Sequence, residues 1–256
     1  MLSNKNIYSL ILENKKKGKK LLAVLIDPDK QDLLSIPLLV KTIAENGADL
    51  IFVGGSLMVN SDFEEKLVAI KAHSRLPVIL FPGSPVQVNK NADGILLLSL
   101  ISGRNPELLI GQHVAAAPIL KASGLEILPT GYILVDSGKT TTVTYISNTT
   151  PVPYDKPEIA ACTALAGEQL GMKLIYLETG SGALKPISSA MILKTKEFIT
   201  VPLIVGGGIK TPEQAYEACL AGADIIVIGT AFENNISALK PIADVVKKSN
   251  VIEGYS

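Results

Sequence analysis

The sequence predicts an α/β fold, a (β/α)8 TIM barrel with one short or missing helix after the third strand. Three observations carry that expectation. Short Val/Ile/Leu runs alternate with longer helical patterns along the whole chain. Each run is continuously apolar rather than alternating with polar residues, as in parallel strands covered on both faces. Finally, the helix-to-strand junctions repeat: Gly47-Ala-Asp-Leu-Ile-Phe-Val-Gly-Gly-Ser56 and Gly222-Ala-Asp-Ile-Ile-Val-Ile-Gly-Thr230 are one phrase, and Asn91-Ala-Asp-Gly-Ile-Leu-Leu-Leu-Ser99 is a looser copy. Repeated units with eight strands point to a closed barrel, and 256 residues suit one barrel domain spanning 1–256.

The elements follow in order. The run Lys15-Lys16-Lys17-Gly18-Lys19-Lys20 reads as a solvated helix end or turn before the first strand, 21–26. A helix over 32–45 closes at Asn46-Gly47, where glycine supplies a left-handed residue. Strand 50–53, helix 63–72 and strand 78–81 come next. The segment 85–90 has room for only one or two turns, so a helix is short or absent there. Strand 94–98, helix 106–121 and strand 126–135 lead into the least regular stretch, 136–156. That stretch is rich in Ser, Gly and Thr and carries Pro151 and Pro153; an extra strand is expected at 143–147. On a barrel it falls on the catalytic face, as a lid, part of a substrate groove or a surface hairpin. Helix 157–170 precedes strand 174–177, helix 190–198 and strand 203–205. Thr211-Pro212-Glu213 then places a cap, a proline at the first helical position and an acid in the first turn of helix 212–220. Strand 225–228 and helix 235–248 complete the count.

Composition bounds the function. The 24 basic and 24 acidic residues cancel, and no basic stripe is interleaved with aromatics, so nucleic acid is not an expected partner. No apolar run approaches the length of a membrane span, and no signal peptide is evident. The mean hydropathy of +0.35 fits many buried strands. Cys162 and Cys219 match no metal spacing and lie in Ala-rich helical segments, so buried free thiols in a reducing cytoplasm are expected.

Three consecutive strands end in turns suited to an anion. They are Ile175-Tyr-Leu-Glu-Thr-Gly-Ser-Gly-Ala183, Pro202-Leu-Ile-Val-Gly-Gly-Gly-Ile209 and Asp224-Ile-Ile-Val-Ile-Gly-Thr-Ala231. Phosphate commonly binds where the seventh and eighth barrel strands end, here Gly206-Gly207-Gly208 and Gly229-Thr230. Glu178 ends a buried strand, where an unpaired carboxylate is costly, so it reads as a general base or an anchor for a substrate hydroxyl. Asp27-Pro28-Asp29-Lys30 is either a helix-capping turn or a site for a divalent cation, and Ser56 adds a hydroxyl on the neighbouring loop. Tyr132 either lends a polar tip to the site or fills the barrel. His73 and His113 sit in helical patterns on the outer ring, and no Ser/His/Asp or Cys/His constellation supports covalent hydrolysis.

Seven motifs, in order from the first strand to the eighth, resemble the geranylgeranylglyceryl phosphate synthase family, including its bacterial members. They are Leu25-Ile-Asp-Pro-Asp-Lys30, Val53-Gly-Gly-Ser56, Leu80-Phe-Pro-Gly-Ser84, Pro129-Thr-Gly-Tyr-Ile-Leu134, Tyr176-Leu-Glu-Thr-Gly-Ser-Gly-Ala183, Ile204-Val-Gly-Gly-Gly-Ile209 and Ile228-Gly-Thr230. The Asp-Pro-Asp-Lys run together with Tyr-Leu-Glu-x-Gly-Ser-Gly is the specific part. The resemblance implies a Mg²⁺-dependent prenyltransferase that joins sn-glycerol 1-phosphate to a polyprenyl diphosphate. It assigns Asp27 and Ser56 to Mg²⁺. It assigns Tyr176, Leu177, Glu178, Thr179, Gly180, Ser181, Gly182, Gly207, Gly208, Gly229 and Thr230 to glycerol phosphate, with Glu178 and Tyr132 as catalytic candidates. It further implies a homo-oligomer, dimer or hexamer, and peripheral membrane contact for the lipid product. Leu25 stands where some members carry a phosphate-contacting Lys, which places the chain in the larger-bodied branch and favours a C20 over a C35 donor. The competing readings are a sugar-phosphate isomerase or aldolase on a similar barrel, for which the strand ends offer no Schiff-base Lys, and a non-catalytic phosphate-binding scaffold.

Overall fold

The computed structural model describes residues 6–229 and 238–252. Eight parallel strands close into a barrel in sequence order: β1 (Leu21–Ile26), β2 (Leu50–Val53), β3 (Val78–Leu80), β4 (Gly94–Leu100), β5 (Glu126–Leu134), β6 (Leu174–Glu178), β7 (Leu203–Gly206) and β8 (Ile225–Ile228). The helices around it are α1 (Ile7–Lys16), α2 (Ile36–Glu45), α3 (Phe63–His73), α4 (Gln112–Ser123), α5 (Thr142–Ser147), α6 (Pro157–Gln169), α7 (Ser189–Phe198), α8 (Pro212–Leu220) and α9 (Leu239–Ile252). Between β3 and β4 the described chain makes only the 3-10 turn Pro85–Gln87, as the short spacing predicts.

Strand alternation divides the core in two. Leu21 and Ala23, Leu128 and Tyr132, and Leu174 and Tyr176 fill the lumen with Leu50, Phe52, Ile204 and Ile225. Their neighbours Leu22, Val24, Ile133, Ile175 and Leu177 face the helical layer. The N-terminal end of the lumen is plugged by α1, whose Ile7 and Ile11 join the inner cluster. Glu126 holds that helix by accepting the Ile7 and Tyr8 N–H groups at 2.5 and 2.8 Å. The Lys-rich run is the end of α1 and the turn into β1, as expected, with Lys16, Lys17 and Lys19 exposed but Lys20 buried.

The repeated Ala-Asp phrase acquires a physical meaning at this same end. Asp49 Oδ2 accepts the Leu22 N–H at 2.9 Å, Asp93 Oδ2 that of Val78 at 2.8 Å, and Asp224 Oδ2 that of Leu203 at 2.8 Å. Each Asp just before a strand thus caps the first amides of the preceding strand and fixes the register between the two. Lysines complete two of the three junctions: Lys71 on Asp93 at 2.6 Å and Lys196 on Asp224 at 2.5 Å.

Two expectations are corrected. Residues 143–147 form part of the helix α5, not a strand. Thr142-Val-Thr-Tyr-Ile146 has β-branched propensity, but a closed barrel leaves no edge for it to pair with. Only Val152 bridges to the end of the fifth strand, at Val135. Cys162 is exposed, because α6 buries the face carrying Ala160, Ala161, Ala164 and Gly167; Cys219 is buried, and neither cysteine forms a disulfide. Smaller shifts are a start of α2 at Ile36, after the 3-10 turn Leu33–Ser35, and a fourth strand that runs to Leu100.

Candidate active site

The same alternation that buries Tyr176 in the lumen carries Glu178 inward at the C-terminal rim, in register with Leu134 on one side and Gly206 on the other. Glu178 is buried, and its Oε1 accepts the Gly180 N–H at 2.6 Å. Burial pushes its carboxyl above the ordinary range, while the Gly180 N–H, the Tyr176 hydroxyl and the Thr179 N–H pull it back. Tyr176 lies close enough to act on that charge, yet its Oη makes no well-aligned hydrogen bond with any protein atom, and neither does the buried Thr179 Oγ1. Gly206 makes the room: a Cβ there would collide with Tyr176 Oη and stand 3.0 Å from Glu178 Oε2.

Gly180, Gly182, Gly207 and Gly208 all have left-handed backbones, with φ of 89°, 71°, 80° and 70°. At Gly207 the need for glycine is twofold, since a Cβ would also run into Glu178 Oε1 and Thr179 Oγ1. These turns, with Ser181 and Gly229, line one cavity of about 330 Å³. Successive glycine-rich turns of this kind present backbone N–H groups to an anion. Lys210 lines the cavity beside them, its Nζ 3.3 Å from the Ala183 carbonyl.

Asp27, Lys30, Gly55 and Ser56, from the loops after β1 and β2, line the same cavity. Asp27 caps the turn after β1 by accepting the Asp29 N–H at 3.2 Å, so its capping reading holds. Its carboxylate nonetheless keeps an oxygen toward the cavity, where Lys30 Nζ approaches to 3.2 Å. A Cβ on Gly55 would stand 3.3 Å from Asp27 Oδ1, so the second loop closes directly over that carboxylate. Among the described residues no cluster of three or more His, Cys, Asp or Glu could hold a metal. One carboxylate and one hydroxyl suit a hard cation such as Mg²⁺ that takes its remaining oxygens from a bound phosphate. The lysine already seated there shows that the corner attracts positive charge.

Beyond Ser56 a second cavity of about 190 Å³ continues from the first, sharing Phe81, Tyr132 and Val143 and walled by Leu98, Leu100, Leu108 and Ile146. A smaller space of about 50 Å³ extends it under Pro82 and Leu98 toward Leu97, Ala116 and Leu120. Phe81 stacks on Tyr176 at 5.4 Å, and Tyr132 meets Tyr176 edge-on at 5.4 Å. These rings separate the polar cavity from the apolar groove. Burial, and then the Glu178 charge, raise the Tyr132 phenol well above its ordinary range, so it stays protonated at neutral pH.

The expected residues Asp27, Ser56, Tyr132, Tyr176, Glu178, Gly180, Ser181, Gly182, Gly207, Gly208 and Gly229 therefore line one cavity. Leu177 faces the helical layer and Thr179 is buried against Gly207, so neither side chain lines it. Thr230 lies outside the described residues. His73 is exposed on α3, and His113 on α4 lines the small space at the end of the groove; neither lines the cavity that holds Glu178. Sequence reasoning missed Lys210, the α5 residues Thr142 and Val143, and Gln87. The buried Gln87 donates to the Gly55 carbonyl at 3.0 Å and accepts the Gly83 N–H at 3.1 Å, joining the second and third loops. Gln87 carries no local signal.

The fold is that of known proteins. The PcrB family model matches residues 14–248. The chain is 53% identical over 242 residues to a geranylgeranylglyceryl phosphate synthase of Spirosoma linguale, covering 94% of this chain and 97% of that one. It is 53% identical over 240 residues to the enzyme so named in Chitinophaga pinensis, covering 94% and 95%. Among solved structures, (S)-3-O-geranylgeranylglyceryl phosphate synthase from Thermoplasma acidophilum, in complex with its substrate sn-glycerol-1-phosphate, superposes with a TM-score of 0.90 at 34% identity, covering 95% of this chain and 99% of that one. The chain belongs to the PcrB family.

Proposed function

We propose that this PcrB-family chain is a geranylgeranylglyceryl phosphate synthase, a prenyltransferase that joins sn-glycerol 1-phosphate to geranylgeranyl diphosphate. The observation that carries the reading is the continuity of an anion-binding glycine cavity, walled in part by the buried Glu178, with an apolar groove that shares its Phe81, Tyr132 and Val143. The groove explains why neither a sugar-phosphate isomerase nor a phosphate-binding scaffold is preferred, since neither needs an apolar channel behind its phosphate site.

The Gly180–Gly182 and Gly207-Gly208 turns hold the acceptor phosphate, with Gly229 and Thr230 completing the site. Glu178 then receives a glycerol hydroxyl. The hydroxyl oxygen bonds to the prenyl C1 as the bond from C1 to diphosphate breaks, and diphosphate leaves with the electron pair. The hydroxyl proton passes to Glu178, whose raised pKa improves its match to that task. Asp27 and Ser56 would hold Mg²⁺, which when bound neutralises the negative charge gathering on the departing diphosphate. Tyr132, a neutral phenol at the junction, positions the reacting end of the prenyl chain, and Phe81, Leu98 and Leu108 shield the tail from water. The groove mouth lies beside exposed Tyr145 and Ile146, which supports peripheral contact with a lipid surface; no described helix is long and apolar enough to cross a membrane. Exposed Val114 and Ile119 on α4 support contact between copies of the chain.

The test incubates the protein with Mg²⁺, labelled sn-glycerol 1-phosphate and geranylgeranyl diphosphate, and extracts into organic solvent. A labelled, phosphatase-sensitive ether lipid is expected. No product with either glycerol phosphate enantiomer and any donor from C15 to C35 would sink the reading.

A further inference from the structure

We propose that Lys66 and Asp29 are positioning residues for the corner formed by Asp27 and Ser56, and that they act by clamping the first loop to the segment that follows the second. The proposal rests on the reading of that corner as the cation and diphosphate site. Lys66 lies in the first turn of α3, only 4% exposed. A cation there opposes the positive end of the helix dipole, and burial of an ammonium is costly. The i,i+4 pair with Asp62 offsets only a few tenths of a kcal/mol of that cost.

Its contacts supply a reason for a lysine at this position. Nζ donates to the Pro28 carbonyl at 2.9 Å and pairs with the Asp62 Oδ2 at 2.8 Å. Pro28 is the residue next to Asp27, and Asp62 caps α3, so the ammonium joins the two segments directly. Asp29 makes a second, independent tie. Its Oδ2 accepts the Val59 N–H at 2.6 Å, and its backbone carbonyl accepts from Asn60 Nδ2 at 3.5 Å. Both ties bind residues 28–29 to residues 59–66, that is, the residues after Asp27 to those after Ser56. Neither reaches the glycine turns after β6 and β7, Gly180–Gly182 and Gly207-Gly208. Loss of either tie frees the Asp27 turn to shift relative to Ser56 while leaving the acceptor phosphate pocket intact.

The experiment compares Lys66→Met, Lys66→Arg and Asp29→Ala with the parent protein. It measures Mn²⁺ binding in the presence of inorganic diphosphate, sn-glycerol 1-phosphate binding by calorimetry, and thermal unfolding. Outer-shell partners of a metal site typically contribute about 10–100-fold to affinity. Lys66→Met and Asp29→Ala, which removes the acceptor of the Val59 N–H, are each expected to weaken Mn²⁺ binding about tenfold or more, leave glycerol phosphate binding within about twofold, and raise the Mg²⁺ concentration needed for half-maximal turnover; Lys66→Arg is expected to recover part of the loss. Unchanged Mn²⁺ binding in folded Asp29→Ala or in folded Lys66→Met overturns the proposal, as does a parallel loss of glycerol phosphate affinity. Asp27→Ala serves as the control: if it too leaves Mn²⁺ binding intact, the assignment of the corner itself has failed, and the proposal fails with it.

Discussion

The two ends of this barrel treat buried polar groups in opposite ways. At the N-terminal end, Asp49, Asp93 and Asp224 each accept a strand amide, and Lys71 and Lys196 pair with the last two. At the C-terminal end, Tyr176 Oη and Thr179 Oγ1 are buried beside Glu178 with no well-aligned hydrogen bond to a protein atom. One end spends its polar groups on register and stability; the other leaves them ready for a substrate. Asp224 and Glu178 are each 5% exposed and differ in their partners: a lysine and a strand amide for the first, a turn amide beside two hydroxyls with no well-aligned partner for the second.

Substitutions at each end should separate activity from stability. The largest effect is expected from Asp27→Ala, which should lower turnover by about 1,000-fold or more while glycerol phosphate binding, measured by calorimetry, is largely kept. Equal loss of both would refute the division of labour within the cavity. Glu178→Gln comes next, with kcat reduced by roughly 100- to 10,000-fold and a melting temperature that rises.

The sign of that rise follows from the pKa. Burial raises the folded carboxyl above 4.5, so the folded protein holds this proton more tightly than the unfolded chain and loses stability as pH climbs through the folded value. Removing the charge removes that loss. Unfolding measured from pH 4.5 to 8 should show a shallower decline in the Gln variant; an unchanged slope would break the comparison between the two ends.

Asp224→Ala tests the other end. It strands Lys196 and the Leu203 N–H and should cost about 3 kcal/mol of stability, read by denaturant unfolding, with kcat unchanged in the folded protein. A matching fall in kcat would mean that the ends are coupled. The smallest effect is expected at Tyr132→Phe, about tenfold or less in kcat, because the phenol stays neutral and its ring position is retained. A loss as large as that of Glu178→Gln would promote Tyr132 to a proton-transfer role.

Much of this was legible in the sequence, and the exceptions have a common cause. The strands were readable because a parallel strand buried on both faces must be apolar throughout. The glycine turns were readable because left-handed φ values and close contacts leave few alternatives to glycine, as at Gly207. The segment 143–147 was misread because its β-branched residues promise a strand only where an edge is free to receive one. Gln87 and Lys66 were invisible because each acts on a carbonyl more than thirty positions away, with |i−j| of 32 and 38. Nothing in their neighbours foretells such a contact.

By itself, then, the sequence determined the barrel, the order of its strands and the identity of the anion-binding turns, since these follow from local periodicity and backbone sterics. The tertiary structure alone decided which acids are satisfied and which are left for chemistry, how α5 walls the groove, and how two loops from different strands are clamped at Asp27. Those outcomes depend on distances between residues remote in sequence, which are set only when the eighth strand closes on the first.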